Sequence, residues 1–357
     1  MIVPILLFVV GLVCLIKGGD WFVDGAVSLA HRLNLPEILI GATVVSIGTT
    51  LPEVMVSATS AATGHGELAY GNAIGSIICN TALIAALTMA IRPAKIDRKN
   101  LVVPSIGFFL AAAIYCVISY VTKTFTRMTG IILLFMFVIY MIISVRQSLS
   151  SRRISGLNGS FAASAAGSDV PSAAGSDVTS TVGSDVPSAA GTDTSGTVSG
   201  EMPTWKMILF LVLGAALIAV GARLLVDNGT KIAEGLGVPE SVIALTFVAL
   251  GTSLPELVTA ITSLAKGHGA LSVGNIIGAN LFNLVLVSGI SITIQPFDLP
   301  SSKLLFGYNA SLILDIPLMV LVMLILVLPA LIKGKLYRWQ GIVLLILYAG
   351  FCATQVL

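Results

Sequence analysis

The chain has 357 residues, 56% of them hydrophobic and 10% charged, with a formal net charge of +2 and a mean hydropathy of +1.00. Soluble domains average about 25% charged residues, so a soluble globule of this size is excluded. The four cysteines, Cys14, Cys79, Cys116 and Cys352, stand singly in apolar segments, which excludes a CxxC metal site and a disulfide framework.

Apolar stretches of about 20 residues, enough to cross a bilayer as helices, recur along the chain. Ten spans are predicted, over 2–28, 37–63, 68–91, 101–122, 128–146, 205–230, 240–265, 270–294, 304–331 and 337–356. The first run lacks a basic start and a small-residue cleavage site, so it reads as a span and not as a signal peptide. Trp21, Trp205 and Trp339 read as interface anchors. Between the fifth and sixth spans, residues 147–203 are rich in Ser, Ala and Gly and repeat every eight residues, with Gly167, Gly175, Gly183 and Gly191 in phase and Asp169, Asp177, Asp185 and Asp193 beside them. Such a segment buries too little surface to offset its chain entropy and is expected to be a disordered linker. Its aspartates are too sparse for a calcium cage. The expected domains are a first membrane repeat, 1–146, the linker, 147–203, and a second repeat, 204–357.

Positive charge orients the spans. With the N-terminus outside, the inside connections hold 13 Lys and Arg residues (Arg32, Arg92, Lys95, Arg98, Lys99, Arg146, Arg152, Arg153, Lys206, Lys266, Lys333, Lys335 and Arg338). The outside connections hold 4 (Lys123, Arg127, Lys231 and Lys303). Both termini are expected outside the plasma membrane, and the linker in the cytoplasm.

The halves repeat. With a shift of 203 residues, 45–84 lies over 248–287 without a gap, and 19 of the 40 positions are identical, among them Glu53/Glu256, Gly64/Gly267, His65/His268, Asn72/Asn275 and Asn80/Asn283. Five spans per half is an odd number, so the second half enters the membrane in the opposite direction. The fold expected is an all-α integral membrane protein with two inverted five-helix repeats, the arrangement that places a substrate near the midplane between repeats.

Within the repeated segment, Gly48-Thr-Thr-Leu-Pro-Glu53 and Gly251-Thr-Ser-Leu-Pro-Glu256 fall inside apolar helices. Pro52 and Pro255 lack the N–H that would bond the carbonyls of Gly48 and Gly251, and those oxygens become donors for a cation. Thr49 and Glu53 are four apart and share a face, as do Thr252 and Glu256. A carboxylate at the bilayer centre costs at least about 3 kcal/mol. Lys17 and Arg223 are poor partners because Asp20 and Asp227 stand near them, whereas one divalent cation would neutralise both glutamates. In the following spans Ser76 and Asn80, and Ala279 and Asn283, add a second face. Gly71, Gly75, Gly274 and Gly278 are expected to let these helices approach until the amides reach the acids. Carboxylates, hydroxyls, amides and carbonyls suit calcium or sodium and not a thiophilic metal. A single intramembrane Glu is often only a packing residue; two in register, each followed by an Asn, favour an ion site. His65 and His268, at the ends of spans, read as turn or interface residues. Asp24 and Asp227 are expected to pair with bases near a membrane surface.

At these residues the sequence resembles the calcium/cation antiporter superfamily, especially the prokaryotic sodium/calcium exchangers, whose two alpha repeats look like these segments. The resemblance spans both halves and fails only in the linker. It implies ten helices, alternating access, and first and sixth helices that slide across the core. Glu53 and Glu256 would be the main calcium ligands, with carbonyls of Thr49 and Thr252; sodium sites would use Thr50, Ser253, Ser76 and carbonyls of Ser46 and Ala249. Two positions depart from the pattern, Asn283 in place of an acid and Ala279 in place of a serine. An amide keeps the shape of a protonated acid, the loss of the hydroxyl weakens one sodium position, and the missing acid speaks against potassium co-transport. The function implied is sodium/calcium antiport, with calcium and sodium as transported partners alongside membrane lipid. No cofactor, enzymatic activity, nucleic acid or obligate protein partner is expected. A calcium/proton exchanger of the same fold is the alternative, and the hydroxyl-rich motif favours sodium over it. A cation channel is opposed by the repeat and by the lack of rings of acids, and a hydrolase by the lack of a nucleophile with a base.

Overall fold

The computed structural model describes residues 2–93, 95–166, 202–236, 251–301 and 304–356. It is helical apart from two small β ladders. The helices are α1 (Ile2–Arg32), α2 (Glu37–Ala62), α3 (Gly66–Ile91), α4 (Arg98–Val121), α5 (Arg127–Ala166), α6 (Thr204–Gly235), α7 (Leu254–Ala265), α8 (Gly269–Ile294), α9 (Ser311–Lys333) and α10 (Arg338–Val356). Among the described residues, eight are long and apolar enough to cross a membrane, namely α1 to α6, α8 and α9, with the α5 and α6 spans taken over Arg127–Gln147 and Thr204–Gly229.

Two span starts differ from those expected, and one span is described only in part. The span predicted over 240–265 is described only from residue 251, and 237–250 lie outside the described residues. The ninth span begins at Ser311, not 304. Leu304–Leu305 (β3) pairs with Tyr308–Asn309 (β4) through a tight turn at Phe306 and Gly307, whose φ values of 51° and 82° no helix allows, and Asn309 Oδ1 then accepts from Ser311 N at 2.8 Å, fixing the helix start. The fourth span starts at Arg98, where the Asp97 side chain caps Lys99 N. The backbone of α5 stays helical to Ala166, past the expected linker start at 147; residues 167–201 lie outside the described residues.

Burial ranks the helices. In α8, 83% of the most apolar stretch is buried, against 22% in α1 and in α6. α8 is therefore the central rod, and α1 and α6 form an outer pair that packs lengthwise, with Trp21 stacked on Phe210 at 5.6 Å. Trp205 and Trp339 stand exposed at the first turns of α6 and α10. The main core includes Ile74, Ile77, Phe108, Tyr115, Ile276 and Phe282.

The two Gly-His-Gly turns share a backbone, with φ of 83° at Gly64 and 87° at Gly267. A 26-residue helix is about 39 Å long, and α2 separates them. The Gly64 turn follows its last residue and meets Phe297, which pairs with Phe125 in the β1–β2 ladder (Thr124–Phe125 with Phe297–Asp298). The Gly267 turn meets the other end, where His268 Nδ1 lies 2.8 Å from Glu37 Oε1. Asp24, expected to pair with a base, meets Lys266 Nζ at 2.7 Å, and Asp20 Oδ1 lies 3.5 Å from the same ammonium.

Candidate functional site

Both glutamates are fully buried. Glu53 lies in the middle of α2, whose lower half (Ser46–Ala62) runs unbroken past Pro52. Glu256 differs from its expected mid-helix place. Residues 252 and 253 form a turn, α7 begins at Leu254, and Glu256 sits in its first turn behind Pro255. A proline is well tolerated there because its missing N–H would have no partner, and the positive end of the helix dipole favours the carboxylate.

The two halves interlock at this level. Gly274 and Gly278 of α8 face Ile38 and Ala42 of α2 so closely that a Cβ on either would collide with backbone. This approach delivers Asn275 to the first half. Its Oδ1 accepts from Thr49 Oγ1 and from Ser46 Oγ, each at 3.2 Å, and Ser46 Oγ also lies 2.9 Å from the Asn275 carbonyl. Thr50 Oγ1 donates to Glu256 Oε1 at 3.5 Å. On the first half, Asn72 Nδ2 donates to the Glu53 carbonyl at 3.2 Å and to Ser57 Oγ at 2.8 Å. Through the Thr50 hydroxyl, Glu256 touches the helix that carries Glu53.

Asn80 and Asn283 occupy the same structural position in the two halves. Each is the first residue of a widened π turn, Asn80–Ala85 in α3 and Asn283–Val287 in α8. A third π turn, Gly41–Val45, precedes Ser46 in α2, and Tyr140 Oη donates to its Ala42 carbonyl at 2.9 Å. Single π turns inside α-helices occur often at functional sites, where they release backbone carbonyls and re-aim side chains.

Buried polar atoms without a hydrogen-bond partner occur on these same residues, as they do elsewhere on Tyr70, Tyr115, Ser119, Ser263 and Ser272. At the site they are both carboxylate oxygens of Glu53, Oε2 of Glu256, both amide atoms of Asn80 and of Asn283, and Oγ of Ser253. Unpaired buried polar groups are costly, a carboxylate above all. The donor set is oxygen-rich and free of Cys and His, which fits a hard cation. Ser76 is also buried and Thr252 half-buried, while Ala249 lies outside the described residues. The amides of Asn80 and Asn283 do not bond the carboxylates, although close helix approach suggested it. Asn275 and Asn72 were missed as site residues; their signal was identity at equivalent positions one turn or more from the other polar residues. A cavity of about 10 Å³, room for one water, separates Thr49, Pro52 and Pro255 from Phe22 and Ile218 of the outer pair.

A sequence model of the family described as "Sodium/calcium exchanger protein" matches residues 3–146 and 206–357. The chain is 31% identical over 362 residues to a putative antiporter, CaxA, of Alkalimonas amylolytica, covering 98% of each. It is 29% identical over 376 residues to the sodium/calcium exchanger MaX1 of Methanosarcina acetivorans, covering 98% of this chain and 97% of that one. Among solved structures it resembles the sodium-calcium exchanger NCX_Mj, from crystals soaked with Na+ and Sr2+, at 29% identity and a TM-score of 0.72, over 99% of this chain and 98% of that one. These relatives are exchangers and antiporters and not enzymes, and the chain is a multi-pass membrane protein that belongs to the sodium/calcium exchanger family.

Proposed function

We propose that the chain is a secondary antiporter of the plasma membrane that exchanges sodium for calcium by alternating access. The observation that carries this reading is the pair of fully buried glutamates, one from each half, whose carboxylate oxygens largely lack donors. A dehydrated calcium ion bound between Glu53 and Glu256 balances both charges. Carbonyls of Thr49 and Thr252 and the amide oxygens of Asn80 and Asn283 fill its remaining positions. Sodium ions use the hydroxyls of Thr50, Ser253 and Ser76 and carbonyls of Ser46 and Ala249, with one hydroxyl fewer because position 279 is alanine. Exchange follows if loaded states switch access and half-loaded states do not, since an ion shifts the equilibrium only by its differential affinity for the two states.

The architecture we assign is ten spans in two inverted five-helix repeats, 1–146 and 204–357, joined by a cytoplasmic linker, 147–203, with both termini outside. Placement of the Gly64 and Gly267 turns at opposite ends of α2 supports the inversion. The family membership, and the exchangers among the relatives, support sodium and calcium as cargo.

The test is calcium flux into proteoliposomes holding the full chain, with sodium, potassium and proton gradients imposed one at a time. Uptake driven by an outward sodium gradient is expected. Uptake driven by a pH gradient and indifferent to sodium would replace sodium by protons as the counter-ion.

A further inference from the structure

The end of the bundle that carries Glu37 gathers basic side chains into one surface. Lys95 and Lys335 face each other in an antiparallel backbone bridge, and Ile96 N donates to Gly334 O at 3.0 Å. Arg338 Nη2 reaches the Ile91 carbonyl at 3.4 Å. These bonds join the α3–α4 and α9–α10 connections, so that Arg92, Lys95 and Arg98 from one stand beside Lys333, Lys335 and Arg338 from the other, all exposed. Among the described residues none of the six has an acid within ion-pair distance. Asp97 spends its carboxylate on Lys99 N and Asn100 Nδ2, and Glu37 is held by His268.

Beside them lies a cleft of about 280 Å³. Arg92, Pro93 and Lys95 line it together with Glu37, Leu264 and Ala270, the Glu37 carboxylate being paired with His268. Exposed apolar side chains flank the basic surface, with Ile91 65%, Ile332 55% and Trp339 53% exposed. Like charges drawn together by backbone pairing repel, and basic pockets between membrane helices suit anionic headgroups. A soluble anion would answer the charge and leave the apolar flank without a role; a phospholipid answers both.

We propose that this surface binds an anionic phospholipid, its phosphate in the cleft between Arg92 and Lys95 and its acyl chains along Ile91, Ile332 and Trp339. The occupant would tie the α3–α4 connection to the α7–α8 turn, and that turn carries Lys266, which grips Asp20 and Asp24 of α1. Lipid occupancy therefore bears on how α1 is held.

The test uses the full chain in phosphatidylcholine nanodiscs with or without about 30 mol% phosphatidylglycerol, reading thermal stability and, by native mass spectrometry, retained phosphatidylglycerol. Phosphatidylglycerol is expected to raise the melting temperature. Arg92→Gln and Lys95→Gln should each lower retention about fivefold, while Arg127→Gln, at the other end of the bundle, leaves it unchanged. Equal retention by all three variants, or equal loss in all three, overturns the proposal. So does a matching stabilisation by inorganic phosphate in phosphatidylcholine alone, the mark of a soluble-anion site. Each variant's melting temperature in phosphatidylcholine reports whether it has folded; should one glutamine variant fail to fold, the other carries the comparison, and if both fail, retention by Lys335→Gln, expected to fall, decides it.

Discussion

Thr50 donates its hydroxyl to Glu256 Oε1 at 3.5 Å, so a side chain of the first half touches the acid of the second. In the proposed ion site each half supplies part of the oxygens, and this bond is one place where the two halves meet.

Removing either acid should therefore disable the whole site. Glu53→Gln and Glu256→Gln keep volume and lose one charge, and each is expected to abolish calcium uptake while the protein still purifies folded. Near-normal exchange by either variant would remove the glutamates from the centre of the mechanism.

Asn275 aligns Ser46 and Thr49 from across the interface. Its replacement by Ala removes the acceptor that Thr49 and Ser46 share, while Ser46 keeps the carbonyls of Gly41 and of residue 275, a cost of about 1 kcal/mol. A rise of about tenfold in the calcium concentration for half-maximal uptake is expected. Calcium titration of reconstituted Asn275→Ala, beside Ser57→Ala as a polar change outside this contact, checks it; equal curves for both would assign Asn275 to packing alone.

Gly278 faces Ala42 and Ser46, and a Cβ there has no room without moving the α2 backbone. Gly278→Ala is expected to destabilise by about 1–3 kcal/mol, the usual cost of overpacking, and to lower transport by shifting Ser46. A variant with unchanged melting temperature and flux would mean that the helices part freely at this point.

His268 accounts for a pH effect at the bundle end. The Glu37 hydrogen bond, aided by the Glu37 and Asp24 charges and opposed by burial and Lys266, raises its pKa above the usual value. A raised value means the folded state binds the proton more tightly. The stability it adds is complete below about pH 6.5, the unfolded histidine value, and is lost as pH rises through the folded value. Glu37→Gln should narrow the gap in melting temperature between about pH 6 and pH 9. An identical pH profile in that variant would show that the pair contributes nothing.

Membrane character, the duplicated motif and the two acids with their asparagines were legible because each rests on local sequence. Hydropathy runs announce helices, and an exact register of 203 residues exposes the repeat. The hairpin ahead of α9 was not legible, since Leu304, Leu305 and Phe306 read as the apolar start of the helix they precede, and the positive φ values at Phe306 and Gly307 break it. The start of α7 at Leu254 was hidden in the same way, because 251–256 matches 48–53 at every position but one, Ser253 for Thr50, which predicts one backbone for both copies.

The sequence by itself determined that the chain lives in a bilayer, that its halves are copies, and that Glu53 and Glu256 are the residues to be explained, because hydropathy, period and the cost of a buried charge are properties of residues in order along the chain. Only the tertiary structure decided that Asn275 serves Ser46 and Thr49, that Thr50 reaches Glu256, and that Asn80 and Asn283 each open a π turn. The first two relations join positions about 200 residues apart, and they depend on how closely α8 can press against α2 at Gly274 and Gly278, a distance no linear pattern encodes.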